Sequence, residues 1–270
     1  MIRTPDFLII GAQKCGTSWL HHQLRQSRDI FMPEDKDFEH FSYVGNLNPA
    51  AFERYCRRFA DAGGARVVGD ANAAYFWTRT GSPWSRQPDS FNPDIPRSVH
   101  AACGPDLKLV LILRDPVERA ISAYLHHIRH GAITPATSIL DRDLPLGIVD
   151  MSLFRIHLDN WLAVYPRAAL HLIPRLPSDD DDSVRLVEGA CRFLDAAPPE
   201  RARYHLAPVF PGLPRIVDAQ GVWLSERSGV PDLGAGQPQR VVGDERFWRV
   251  VSAAELEALN GLLDAQRISA

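Results

Sequence analysis

The chain has 270 residues, 45% of them hydrophobic and 23% charged, with a formal net charge of −3. That apolar content is enough for a full core, and the slight negative balance excludes recruitment of a polyanion such as DNA by bulk charge, leaving only a local basic cleft for anions. Cys15, Cys56, Cys103 and Cys191 are scattered with no CxxC pair, which argues for reduced thiols and against a structural metal.

Residues 1–5 do not resemble a signal peptide. The longest apolar runs, 7–10 and 109–113, are strand-sized and far below the ~20 residues of a membrane helix, so the sequence reads as cytoplasmic, with neither membrane nor nucleic acid as partner. The run 7–10 is continuous rather than alternating, as expected of a strand buried on both faces of a parallel sheet. It leads into Gly11-Ala-Gln-Lys14-Cys15-Gly16 and a helix predicted over 17–26. A second helix is predicted over 49–62, where Phe52, Tyr55, Cys56 and Phe59 recur at i, i+3, i+4 and i+7 as one core-facing stripe.

A short strand is expected at 66–69. The strongest strand, 107–113, is closed by Arg114-Asp115-Pro116, and proline at the first helical position opens a helix to about residue 130. Helices are predicted over 151–165, 183–195 and 252–266, and a strand over 169–173; the acidic run 179–182 is expected to cap a helix. Strands alternating with helices give one α/β domain over 1–270, a three-layer sandwich around a central parallel sheet. Residues 80–96 and 208–243 are predicted as long loops, the second holding a short strand at 221–224, and loops of that length carry function when they are ordered.

Gly11 and Gly16 have the spacing of the nucleotide triphosphatase loop G-x-x-x-x-G-K-[ST], but Thr17 stands where that loop has its lysine, and Lys14 lies inside it. Backbone N–H groups and the dipole at a helix start attract phosphate, glycines permit close approach, and Thr17 and Ser18 add hydroxyls. A lysine within the loop can sit over a bridging oxygen where leaving-group charge develops. Arg114 leaves the carboxyl end of a buried strand, where α/β proteins bind ligands, and its fork suits phosphate; Ser122, two turns on, adds a donor. The competing readings are a chance glycine turn, a pairing of Arg114 with Asp115 or Glu118, and a Walker B strand ending at Asp115.

Together the two segments resemble the sulfotransferases that use 3′-phosphoadenosine 5′-phosphosulfate (PAPS), especially the branch of heparan sulfate sulfotransferases and related bacterial enzymes. That family's loop, G-x-x-K-x-G-[ST]-[ST], is matched by Gly11, Lys14, Gly16, Thr17 and Ser18, and its arginine with a serine eight residues later by Arg114 and Ser122. The resemblance implies a P-loop nucleotide-kinase-like fold and in-line sulfuryl transfer from PAPS to a hydroxyl or amine of a small-molecule or carbohydrate acceptor, leaving PAP, with no metal. It assigns the 5′-phosphosulfate to Gly11, Lys14, Cys15, Gly16, Thr17, Ser18 and Trp19, and the 3′-phosphate to Arg114 and Ser122.

Lys14 is then catalytic, and the base comes from a segment K-E-x-x-aromatic-aromatic. Lys36 and Phe41 match its ends, so Asp37 takes the place of the family's glutamate; His40, with the side chain of best intrinsic pKa, and then Glu39 are the alternatives. Residues 69–75 resemble G-E-x-[ST]-P-x-Y, where Asp70 is expected to orient the site or pair with Lys14 or Lys36. The resemblance fades after about residue 205, and the basic residue that closes over the nucleotide is left among Arg215, Arg227 and Arg240; the family's carboxyl-terminal disulfide hairpin has no counterpart. His126, His127 and His130 read as a polar helix face near the cleft rather than a metal site, since an HExxH glutamate is absent. Loops 80–96 and 208–243, with Trp77 and Trp84, are expected to shape the acceptor pocket. The rival functions are an ATP-dependent phosphoryl transferase and a noncatalytic nucleotide-binding protein.

Overall fold

A computed structural model describes residues 3–201, 204, 212–230, 233 and 236–268. Five strands, β1 (Phe7–Gly11), β2 (Ile30–Phe31), β3 (Val67–Ala71), β4 (Lys108–Ile112) and β5 (Leu170–Ile173), pair in parallel in the order β2-β3-β1-β4-β5. Helices α1 (Thr17–Leu24), α2 (Pro49–Cys56), α3 (Ile95–Cys103), α4 (Pro116–Arg129), α5 (Phe154–Leu162), α6 (Asp180–Phe193) and α7 (Ala253–Leu263) surround them.

Alternate residues of each strand face opposite sides of the sheet. Leu8, Ile10, Leu109 and Leu111 pack with Phe76, Phe154, Trp161 and Tyr165. Phe7, Ile9, Val110 and Ile112 pack with Trp19, Leu20 and Leu24 of α1 and Val187, Ala190 and Cys191 of α6. Both faces are therefore covered, which is why β1 and β4 are continuous apolar runs rather than alternating ones. Each fully buried aliphatic side chain in these layers contributes about 1.5–3 kcal/mol.

Capping chemistry sets several boundaries. The Asp115 carboxylate accepts hydrogen bonds from the N–H groups of Val117 and Glu118 at 3.0 and 3.1 Å and is paired with Arg267 at 2.8 Å, so it is the N-cap of α4 rather than a Walker B carboxylate. Helix α6 starts three residues earlier than the sequence predicts, at Asp180, because Asp179 caps it by accepting from the Asp182 N–H at 2.8 Å. The helix expected over 49–62 is α-helical only to Cys56 and tightens into a 3₁₀ helix over Arg57–Ala62. The loop expected over 80–96 ends where Asp94 caps α3, a helix opened by Pro96 in its first turn.

The larger departure lies at 208–243. In place of a loop with one short strand, the described part folds into β6 (Arg215–Asp218), β7 (Gly221–Ser225), β8 (Gln239–Val242) and, just beyond, β9 (Glu245–Ser252), an antiparallel sheet in the order β6-β7-β9-β8. Short strands broken by tight turns such as Gly243-Asp244 give little period to read. Val222, Leu224 and Val251 of this sheet pack against Val117, Ile121 and Leu125 of α4 and Leu259 and Leu263 of α7. That packing sets the second sheet beside the helix that follows Arg114.

Candidate active site

The segments leaving β1 and β4 are neighbours because their strands pair, and their carboxyl ends open one crevice. The Ala12 N–H donates to the Ile112 carbonyl at 2.8 Å, and Arg114 reaches back to donate to the Lys14 carbonyl oxygen at 3.4 Å. Gly11 (φ 146°) lies so close to the segment after β3 that a Cβ would sit 2.7 Å from Phe76 Cβ. Gly16 (φ 92°) ends the loop in the left-handed region, and a Cβ there would meet Leu176 Cδ2 at 2.7 Å. Both positions therefore require glycine.

Gly16 caps α1 without a side-chain acceptor, and the first turn holds no acidic residue. The N–H groups of that turn have no intrahelical partner, so they and the Thr17 and Ser18 hydroxyls are free for an anion. Trp19 is buried, and its indole Nε1 has no hydrogen-bond partner among the described residues. Cys15 is fully buried, and its thiol is pushed up to about 12 by burial; it contributes loop backbone, not a thiolate.

The crevice is basic although the chain is not. Burial, and then the positive charges of Arg119, Lys36, Arg114 and Arg129, hold the Lys14 ammonium below the usual lysine range. Arg114 does pair with Glu118, at 3.2 Å, but the same carboxylate oxygen also accepts from Arg215 at 3.2 Å. Of the three candidate basic residues, Arg215 therefore lies beside Arg114. Arg227 is largely exposed and pairs with Asp244, whereas Arg240 pairs with Asp218 and covers the Trp223 ring. Glu118, Ser122 and His126 follow at i, i+4 and i+8, so Ser122 shares the α4 face that meets Arg114.

The segment after β2 brings Asp37 alongside. Its N–H donates to the Ala71 carbonyl at 2.8 Å, its carboxylate accepts from the Ala73 N–H at 2.9 Å, and Lys36 pairs with its other oxygen. His40 is placed differently. It is only 2% exposed, stacked on Tyr55 at 4.9 Å with Phe41 edge-on at 4.6 Å, and burial followed by Arg54 depresses it to about 4. With Phe52 as a third ring at 5.6 Å, the imidazole has no open face for an acceptor. Glu39 is exposed.

Asp70 pairs neither with Lys14 nor with Lys36. It is 1% exposed and bound to Arg58 at 3.1 Å, burial raising its carboxyl against the pull of that guanidinium. Trp77 likewise belongs to the core: it is 8% exposed and donates from Nε1 to Asp150 at 2.6 Å. Trp84 is half-buried under the Arg142 guanidinium, 4.9 Å from its ring centre.

Two groups carry no part in the sequence reading. Arg119 is wholly buried beneath the loop and bonds to Gln13; its only signal is its place between Arg114 and Ser122. His21 of α1, depressed to about 4 chiefly by burial, donates from Nε2 to the Pro33 carbonyl at 2.9 Å and so ties α1 to the segment that carries Asp37. The His126 imidazole is depressed to about 4 by burial and then by Lys14, which puts this α4 face within reach of the loop. Among the described residues no cluster of three or more His, Cys, Asp or Glu could hold a metal ion, and no helix is long and apolar enough to cross a membrane.

A family model, the sulfotransferase domain, matches residues 4–174. Heparan sulfate glucosamine 3-O-sulfotransferase 6 of Mus musculus is 27% identical over 251 residues, covering 88% of this chain and 62% of the relative. A bifunctional heparan sulfate N-deacetylase/N-sulfotransferase of Drosophila melanogaster is 29% identical over 190 residues, 63% of this chain and 18% of that protein. The chain thus spans about three fifths or less of the length of these relatives. Among solved structures, a sulfotransferase from Alicyclobacillus acidocaldarius superposes with a TM-score of 0.59 at 26% identity, covering 77% of this chain and 88% of that one. A sulfotransferase domain from the curacin biosynthetic pathway, at 15% identity, covers 78% of this chain and 81% of its own with a TM-score of 0.50, a likeness of fold alone.

Proposed function

This chain belongs to the sulfotransferase domain family, and on that footing we propose that it moves a sulfuryl group from PAPS to a hydroxyl or amine of a carbohydrate or other small acceptor. One observation carries the reading: the loop that bears Lys14 and the Arg114 guanidinium, on separate strand ends, are joined by a hydrogen bond to the Lys14 carbonyl oxygen. The residues present suit a doubly phosphorylated nucleotide. A helix start without acidic residues, two glycines that a Cβ would block, and a cluster of Lys14, Lys36, Arg114, Arg119 and Arg129 all favour a polyanion. The donor supplies an activated sulfuryl group on a phosphate leaving group.

In this reading Gly16, Thr17 and Ser18 hold the 5′-phosphate, while Arg114, Ser122 and Arg215 hold the 3′-phosphate. Lys14 donates to the bridging oxygen as the sulfur–oxygen bond breaks, stabilising the charge that develops there. Asp37 accepts the proton of the acceptor as its oxygen or nitrogen bonds to sulfur, and the hydrogen bond from Ala73 fixes the carboxylate for that task. Phe38, the next residue, is 43% exposed and flanked by Arg58 at 4.8 Å, a surface on which a sugar ring can stack. Heparan sulfate is named for the relatives; for this chain a carbohydrate acceptor is the extension of that likeness.

Calorimetry with PAP against ATP, followed by transfer of radiolabelled sulfate from PAPS over a panel of sugars and amines, tests the reading. Binding of PAP without ATP and a labelled product are expected. Preference for ATP with Mg²⁺ would instead make the chain a phosphoryl transferase, and PAP binding without transfer to any acceptor would make it a nucleotide-binding protein.

A further inference from the structure

Arg119 is 0% exposed and spends every hydrogen bond on neutral acceptors. Its Nε donates to the Gln13 carbonyl at 3.1 Å and its Nη2 to Gln13 Oε1 at 3.0 Å and to the Met151 sulfur at 3.0 Å. Its Nη1 donates to the carbonyls of Gly147 and Ile148, both at 2.8 Å, and to Ser152 Oγ at 3.3 Å. Among the described residues it forms no ion pair. The nearby Asp150 attracts it, but the Asp150 oxygens accept from Trp77 Nε1 at 2.6 Å and Thr80 Oγ1 at 2.9 Å.

A buried cation without its own carboxylate is costly, and a bound anion offsets that cost. The face that Arg119 supports is the loop that carries Lys14. We propose that Arg119 is a positioning residue for the transfer reaction: it clamps Gln13 so that the loop presents its N–H groups and Lys14 to the donor, and it leaves a fixed positive charge beneath them for the donor's phosphates to neutralise. The inference rests on the sulfuryl-transfer reading for its chemistry, not for its geometry.

Besides Arg119, the charged or titratable groups acting on Lys14 are Lys36 from the segment after β2, Arg114 at the end of β4, and Arg129 and His126 of α4, with His127 beside them. Of the charges, Arg119 weighs most and, with the others, holds Lys14 below the usual lysine range. Removing its charge therefore raises the pH at which Lys14 deprotonates, whereas loss of the clamp with the charge kept leaves that titration in place.

The chain has only three lysines, Lys14, Lys36 and Lys108, so methyl-labelled lysine signals can be assigned by substitution and titrated by NMR on the full chain. In Arg119→Met, Lys14 is expected to titrate higher than in the wild type. In Arg119→Lys, which keeps the charge but loses the fork, the titration should hold while PAP binds about tenfold more weakly. The basic limb of kcat should follow, moving to higher pH in Arg119→Met and staying in place in Arg119→Lys. An unmoved Lys14 titration in Arg119→Met overturns the inference. If that variant does not fold, unchanged PAP affinity in Arg119→Lys does the same. A wild type that turns over no PAPS would instead sink the functional reading, and the Lys14 titration, which needs no donor, would still decide the role of Arg119.

Discussion

The guanidinium of Arg114 lies 3.4 Å from the carbonyl oxygen of Lys14, a contact between residues a hundred positions apart. It exists because β1 and β4 are adjacent in a parallel sheet and deliver both chain ends to one edge. The two residues are expected to fail in different ways. Lys14→Ala should lower kcat about 10²–10³-fold, the cost of removing one donor to a developing charge. Arg114→Ala should weaken PAP about 10- to 100-fold, the range for a charged hydrogen bond, with a smaller effect on kcat. Steady-state kinetics with PAPS and calorimetry with PAP separate the two; equal losses in both measurements for both variants would contradict the division of labour.

Asp37 and His40 can be told apart. Asp37→Asn keeps the hydrogen bond from Ala73 but cannot take a proton, so turnover should fall about 10²–10⁴-fold with little change in PAP affinity. His40→Phe preserves the stack on Tyr55 and should leave kcat near that of the wild type. The reverse pattern in single-turnover rates would move the base to His40.

Glu118 holds Arg114 and Arg215 on one oxygen, where a 3′-phosphate would compete with it for both guanidiniums. Glu118→Gln should therefore tighten PAP by about 3- to 10-fold, the scale of one charge at close range in a half-solvated site. Adenosine 5′-phosphosulfate, which lacks the 3′-phosphate, should be indifferent. A shift of equal size for both ligands in calorimetry would mean that Glu118 acts on the site as a whole.

Gly16→Ala combines a φ of 92° with a Cβ 2.7 Å from Leu176 Cδ2. The backbone component costs about 1–2 kcal/mol, and the contact adds to it. Adding Leu176→Ala should relieve the steric part and leave the backbone part, so thermal melts of both single variants and the double are expected to show favourable coupling. Strict additivity would place the strain elsewhere.

Low pH should destabilise the fold before it protonates most carboxylates. His21 and His40 are 5% and 2% exposed and sit at about 4, against an ordinary value of about 6.5. Between those values the unfolded chain binds protons that the folded chain does not, so stability falls as pH drops through that window. At pH 5 each such imidazole should cost on the order of 1–2 kcal/mol relative to pH 7. Melting at pH 7 and pH 5 should show the drop, and His40→Phe should shrink it; an unchanged difference would show that His40 titrates normally.

The loop between β1 and α1 was legible in the sequence because it is local. A continuous apolar strand, a glycine turn and a helix start fall within about ten consecutive residues and suit an anion, and Arg114 and Ser122 follow the adjacent strand of the sheet. The second sheet was hidden because β6 and β8 are four-residue strands of mixed exposure joined to their partners by two-residue turns, which leave little period.

The acceptor side depends on contacts between distant segments. Asp37, Glu39 and His40 are near neighbours of similar promise in sequence; burial under Tyr55 and Phe41 separates His40 from the others, and the Ala73 N–H fixes Asp37. Arg58 takes Asp70, and Glu118 draws Arg215 to Arg114, for the same reason. Local patterning fixes which backbone groups point into the crevice; only tertiary packing, through desolvation and shared counter-charges, decides which side chains remain free to act there.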